Sequence, residues 1–245
     1  MKKRAAWAVL LSSVMAGSSG VFVKYMEMSI TSMGFFRMLL PSLLLGGILL
    51  WQGIPLLRGN YRLMLGMSVL NVLRMFFFFT AFRYTSMGNA ILISYTWPIF
   101  TNLFSALFLK EIISRRNILL LGLSFAGIVI VYSNQPFSFA NKDFVGMSAA
   151  LGMALMYALT VVAYKKEADF YSPLEIIFYQ NIAGVFLFLP FLFWNPWPSY
   201  SDLAISASHS LLLGVLGFYF FFYGLRHLTA STASGLSYIE IVSAL

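Results

Sequence analysis

Three charged side chains stand inside long apolar segments of this sequence: Arg37, Arg74 and Glu240. An ionisable group at the centre of a bilayer costs at least about 2.5–3.5 kcal/mol unless it is paired or hydrated, so each calls for a reason. Arg74 follows Arg62 by twelve residues, about 18 Å along a helix, too deep to reach an interface. Asn71 lies one turn before it. A cation steadied by an amide suits a carboxylate or another anion; the structural alternative is an Arg that ties helices together through backbone carbonyls.

Glu240 stands eleven residues into the last apolar segment, about 16 Å deep by the same rise. A desolvated carboxylate there fits a proton or a substrate ammonium, although a salt bridge to Arg74 would satisfy it equally well. Tyr95, Trp97 and Tyr238 bring aromatic faces to the same depth. Pro98 removes an intrahelical hydrogen bond and marks a hinge in the fourth segment. Arg37 lies only five residues from a segment boundary, roughly 8 Å, so its guanidinium is expected to snorkel to the interface or to line a cavity mouth. Gln180 and Asn181 offer neutral amides that can bond across helices near the opposite face. His209 and His227, close to segment ends, read as interfacial.

Other chemistries find no footing. The sequence has no His-Glu-x-x-His, no phosphate loop, no Gly-x-Ser-x-Gly elbow and no evident carboxylate pair. With no cysteine there is no disulfide, thiol catalyst or thiolate metal site. Neither an enzyme nor a bound cofactor or metal is expected.

The elements that must position these residues follow from composition. Of 245 residues, 60% are hydrophobic and 10% charged, against roughly 25% charged in soluble domains. Sixteen basic and eight acidic side chains cannot cover a core while hiding 25 Phe, 13 Tyr and 5 Trp. Lipid must do the covering, which implies an all-α integral membrane protein. Nine apolar segments approach the roughly 20 residues needed to span: about 5–23, 32–51, 62–82, 86–108, 117–133, 144–164, 173–194, 208–225 and 229 to the end. Turn signals separate them at Gln52-Gly53-Ile54-Pro55, Asn134-Gln135-Pro136 and Asn195-Pro196-Trp197-Pro198.

The net charge of +8 does not point to nucleic acid, because the basic residues are scattered between apolar runs. With a cytoplasmic N-terminus, eleven of them fall in inner loops, and only Lys24, Arg83 and Lys142 in outer ones, as the positive-inside rule requires. Lys2-Lys3-Arg4, an apolar run and Ala16-Gly17-Ser18 also have the form of a cleavable signal, but the repeat described next uses this segment as its first helix.

Shifted by 143 positions, the chain matches itself. Phe77-Phe78-Phe79 falls on Phe220-Phe221-Phe222, Arg83 on Arg226, Ala90 on Ala233 and Ser94-Tyr95 on Ser237-Tyr238. The same shift sets Phe35-Phe36-Arg37 over Phe178-Tyr179-Gln180, Trp97 over Glu240 and Pro98 over Ile241. Any kink at Pro98 should therefore be one-sided. A shift of 141 sets Ala8, Leu10, Met15 and Lys24 over Ala149, Leu151, Met156 and Lys165. A unit of five spans reverses its successor in the membrane, so an inverted repeat is expected, 1–135 followed by 140–245. Projection of the first unit carries the ninth helix past Leu245 to a counterpart of Lys110-Glu111, with a tenth helix beyond. The second repeat thus reads as truncated in its ninth helix. Each unit also opens with a stripe of small residues for close helix packing: Ala8, Ser12, Ala16 and Gly20, then Gly146, Ala150, Ala154 and Ala158.

Five-plus-five helices, a Lys ending the first helix of each half, Phe-Phe-Arg in the second, and Ser-Tyr in the fourth and ninth resemble the EamA-type branch of the drug/metabolite transporter superfamily. The resemblance covers the whole chain through diffuse motifs, and Gln180 departs from it where an Arg is common. It implies a ten-helix carrier with both ends cytoplasmic, and many such carriers export amino acids or related metabolites. The expectation is a secondary transporter of small organic metabolites in the bacterial inner membrane, working by alternating access through a midplane cavity, with the lipid bilayer, a small-molecule substrate and a coupled proton as its partners. Arg74 and Asn71 would take a carboxylate, Glu240 an ammonium or proton, and Tyr95, Trp97 and Tyr238 would shape the pocket. Arg37, Gln180 and Asn181 would stand behind it or at its mouth. The competing readings are efflux of hydrophobic cations and a non-transporting membrane scaffold.

Overall fold

A computed structural model describes residues 1–132 and 141–244; the expected turn at Asn134-Gln135-Pro136 lies outside the described residues. Every regular element among those described is helical: α1 (Lys2–Gly17), α2 (Ser19–Lys24), α3 (Ile30–Trp51), α4 (Tyr61–Tyr84), α5 (Met87–Ser94), α6 (Trp97–Phe108), α7 (Arg115–Tyr132), α8 (Asn141–Glu167), α9 (Pro173–Phe188), α10 (Tyr200–His209), α11 (Phe218–His227), α12 (Ala230–Leu236) and α13 (Ile239–Ala244). A 3₁₀ turn, Leu189–Phe193, extends α9, and a π-helical stretch, Ser210–Gly217, joins α10 to α11. Among the described residues seven helical stretches are long and apolar enough to cross a membrane. Large apolar side chains such as Trp7, Leu43, Leu123 and Phe186 point outward, as they do where lipid is the solvent. The chain is a multi-pass integral membrane protein.

Local chemistry sets the helix starts. Ser29, Ser86, Ser172, Ser199 and Thr229 each accept a hydrogen bond from the backbone N–H three residues on, satisfying one of the amides left free at a helix N-terminus. Ser199 corrects the eighth span, which begins at Tyr200 instead of near 208. The Asp202 carboxylate accepts from Ser199 Oγ and from the Glu27 amide.

Small residues set the helix pairs. α3 and α9 run antiparallel through the centre, with Gly34 under the Phe188 ring, Met38 against Gly184 and Gly46 beside Phe178. α8 lies along α4, its Gly146 facing the Thr85 backbone and its Gly152 the Phe77 ring; Ala150, Ala154 and Ala158 are fully buried in the same stripe. α1 packs on α11 where Gly224 meets Val9 and the Ala5 carbonyl. The first stripe is buried at Ala8 and Ser12 and opens toward Gly20.

Two spans are broken in the middle. The chain leaves α5 at Ser94 and resumes at Trp97 in α6; 142 residues on, it leaves α12 at Leu236 and resumes at Ile239 in α13. The one-sided kink is therefore corrected: both breaks occur, and only the first has a proline. At the first, Thr96 turns both its N–H and its hydroxyl to the Ile93 carbonyl. At the second, Ser237 Oγ takes the Ala233 carbonyl while the Ser237 and Tyr238 amides make tight bonds to Ser234 and Gly235. Hydroxyls bonded to the preceding turn compete with the helix ladder, so serine does at Ser237 what Pro98 does in the first turn of α6.

At the face carrying the N-terminus, the 52–60 loop is fastened to the 168–172 turn. Arg58 makes a bidentate ion pair with Glu175, at 2.7 and 2.9 Å, which holds its guanidinium above its usual pKa range. Tyr171 and Tyr179 donate to the Arg58 and Leu56 carbonyls. At the opposite face the fastening is lighter, a 2.9 Å bond from the Glu27 amide to Asp202 and a 3.1 Å bond from Asn195 to Thr31.

The α4–α8 contact is testable. A Cβ on Gly146 would stand 2.6 Å from the Thr85 backbone nitrogen, whereas one on Gly47 meets nothing within 4 Å. Gly146→Leu is expected to lower unfolding stability in detergent by about 1–3 kcal/mol, with Gly47→Leu close to wild type.

Candidate functional site

The site is built on α4. Arg74 is buried, and its Nε donates to Asn71 Oδ1 at 2.8 Å, while Asn71 Nδ2 donates to the Gln180 carbonyl of α9 at 2.7 Å. Asn71 thus ties two helices together and fixes the direction of the guanidinium. The Arg74 Nη2 points at Met75 Sδ, and the Cζ lies 4.7 Å above the Tyr157 ring of α8. The backbone-carbonyl role considered for Arg74 is not what the contacts show: its partners are an amide, a thioether and a ring.

Trp97, the first residue of α6, packs against the same Tyr157 ring with centroids 4.5 Å apart. Tyr95 and Tyr238, each at a helix break, stack at 6.3 Å, and Tyr238 donates to the Tyr95 carbonyl. Glu240 is the second residue of α13, two positions after Tyr238. Glu240 and Arg74 interact electrostatically across the interior but form no direct ion pair. The salt bridge that would have made both structural is absent from this pair. Pro98 is buried behind Trp97, its carbonyl accepting from Asn102.

Arg37 overturns its expectation. It does not snorkel: the residue is 8% exposed, its Cζ lies 6.0 Å from the Phe218 ring, and its Nη1 has no protein acceptor. The reason is that α3 is the central helix, so an Arg on its inward face has no short path to an interface. His209 is likewise interior, 2% exposed, against Phe22 and 3.1 Å from Ser19 Oγ. Gln180 and Asn181 are buried on α9; Asn181 donates to the Ile177 carbonyl, and Gln180 Oε1 and Asn181 Oδ1 receive no donor.

The structure therefore gathers Arg74, Asn71, Trp97, Tyr95, Tyr238 and Glu240 along one interior path, with Arg37 approaching it from α3. Sequence reasoning missed Tyr157, the ring that joins Arg74 to Trp97 and lies in electrostatic range of Arg37 and Glu240 as well. The signal was present: Tyr157 follows Ala154 by three residues, a large polar side chain on the face of a small-residue stripe. It also missed Tyr164, buried one turn or two further on, with an unpartnered hydroxyl. Two surface grooves, beside α1 and α11 and beside α2 and α10, hold none of these groups. Among the described residues no cluster of His, Cys, Asp or Glu could hold a metal ion.

A family model described as the EamA-like transporter family matches residues 3–133 and 144–245. The pseudopaline exporter of Pseudomonas aeruginosa is 27% identical over 216 residues, covering 85% of this chain and 72% of that protein. The S-adenosylmethionine uptake transporter of Rickettsia felis is 24% identical over 245 residues, covering 95% of this chain and 79% of its own. A solved crystal structure, 19% identical, superposes over the whole chain and 86% of its own length with a TM-score of 0.84, which shows the shared fold.

Trp97 gives the site an optical reporter, since Trp7, Trp51, Trp194 and Trp197 are all exposed. In protein with those four changed to Phe, Tyr157→Ala is expected to move the Trp97 emission to longer wavelength as water reaches the indole. Tyr219→Ala, in the groove beside α1, should leave it in place.

Proposed function

Because the chain belongs to the EamA-like transporter family, we propose that it is a secondary transporter exporting a small organic zwitterion, an amino acid or a close relative, across a bacterial cytoplasmic membrane. The observation that carries this reading is Arg74, buried, aimed by Asn71 and free of any carboxylate partner. A guanidinium held this way binds a substrate carboxylate in a bidentate fork. Glu240, two residues after Tyr238 at the second helix break, takes the ammonium or a coupled proton.

Alternating access needs two halves that move against each other. The recurrence of the sequence at 143 residues and of the helix breaks within one residue of that supports an inverted repeat, and so does the packing of α4 on α8 alongside α1 on α11. The bidentate Arg58–Glu175 pair would close the N-terminal face, and the Asp202 and Asn195 contacts the opposite one. The basic residues favour a cytoplasmic N-terminus. The two relatives move solutes in opposite directions, so kinship alone does not set direction. The aromatic lining beside Glu240 favours a second reading, efflux of organic cations, against which Arg74 stands as a like charge.

Flux into proteoliposomes decides. The full-length protein is expected to carry labelled amino acids saturably, and Arg74→Ala and Glu240→Gln each to lower kcat/KM at least about tenfold in protein that remains folded. Flux of quaternary ammonium without amino-acid flux would establish the second reading, and unchanged flux in both variants would remove these residues from the site.

A further inference from the structure

Arg37 is the buried charge that an Arg74 and Glu240 site leaves unexplained. Five N–H groups need acceptors in a guanidinium, and here the Nη1 has none. Among the described residues the groups that act on it are Arg74, Tyr157 and His209, and none is a carboxylate. Elsewhere in the spans the acids are engaged: Glu175 by Arg58, and Asp202 by Ser199 and the Glu27 amide. Glu111 accepts from the Ala230 and Ser231 amides at the start of α12. A buried cation with no counter-charge costs several kcal/mol, and an apolar residue of similar volume would remove that cost.

We propose that Arg37 is a second anion-binding cation of the same chamber, and that the substrate is an amino acid carrying a second acidic group, with net charge −1. This rests on the assignment of Arg74 and Glu240 above. Three observations lead to it. Arg37 and Arg74 are like charges, both buried and close enough to act on one another, so the interior they share carries a positive potential. The walls continue from one to the other: Phe218 beside Arg37 stacks on Phe222 at 5.7 Å, Phe222 meets the buried Tyr164 at 5.5 Å, and Tyr164 is within electrostatic range of Arg74. The charges of Arg37, Arg74 and ionised Glu240 sum to +1, and two carboxylates with one ammonium neutralise them. Gln180 Oε1 and Asn181 Oδ1, buried acceptors without donors, add places for the ammonium hydrogens.

The test uses L-glutamate and its neutral isostere L-glutamine as labelled solutes with reconstituted full-length protein. The wild type should prefer glutamate in kcat/KM, and Arg37→Gln should reduce that preference at least about tenfold, with Arg37→Lys retaining part of it. Glutamate should also raise the thermal unfolding midpoint of the detergent-solubilised wild type more than glutamine does. That difference should vanish in Arg37→Gln, a readout that a purely structural Arg would not move. Equal loss of both fluxes in Arg37→Gln would overturn the proposal. So would glutamine carried in preference to glutamate and dependent on Arg74, which would leave the amino-acid carrier standing. Carriage of neither solute, in protein that also carries no other amino acid, would overturn both.

Discussion

Two guanidinium groups in the interior of a lipid-embedded bundle, with no acid among the described residues in contact with either, are the constraint on which the remaining structure depends. Moving a charge from water into a low-dielectric medium is opposed by its hydration energy, and a surface helix would escape by letting the side chain reach outward. Arg37 and Arg74 cannot, because α3 and α4 present them inward, with α9 packed on one and α8 on the other. The protein stabilises them in the ways available without a counter-ion. Asn71 accepts from Arg74, and the rings of Tyr157 and Phe218 turn π-faces toward the two cations. These contacts orient the cations without neutralising them, which keeps their charge available.

The broken helices follow from the same constraint. A continuous helix satisfies its own backbone, leaving nothing for a polar interior to use. Where α5 gives way to α6, and α12 to α13, carbonyls are released: Tyr95 offers its own to the Tyr238 hydroxyl. Each break also redirects a side chain, Trp97 onto Tyr157 and Tyr238 onto Tyr95. Two means reach one geometry. In α6 a proline sits in the first turn, where its missing N–H costs least, and at Ser237 hydroxyl chemistry opens the ladder.

Much of this was legible in the sequence. Lipid burial, an all-helical chain with several membrane-long helices and the 143-residue recurrence of sequence all follow from counts and spacings, because hydrocarbon thickness is a ruler that helix rise must match. What escaped was whatever depends on helix orientation. Depth along a helix says how far Arg37 and His209 lie from an interface, but only the packing of α3 and α10 says that each faces inward. Tyr157 escaped because an aromatic in an apolar run looks like any other until a cation is placed above it. The second helix break escaped because proline is a conspicuous breaker and serine is not. The start of α10 escaped because Asp202 reads as exposed until its donors, Ser199 and the Glu27 amide, are known.

The two ends of the bundle are held unequally. At the N-terminal face Glu175 closes three contacts at once: the ion pair with Arg58, the Ser172 amide and the Ser172 hydroxyl. Its own helix start is thereby capped by the group that latches the neighbouring loop. At the opposite face Asp202 caps α10 through Ser199 in the same manner, but its remaining partner is a neutral amide, that of Glu27. Both carboxylates accept charge-assisted bonds, but Glu175 is held by two parallel bonds from a cation and Asp202 by one from an amide across the neighbouring loop. In the carrier proposed above, such an inequality would favour opening at the face of Asp202 at rest. Export from the N-terminal side would then load the solute at the face of Glu175, the step at which the stronger latch must break.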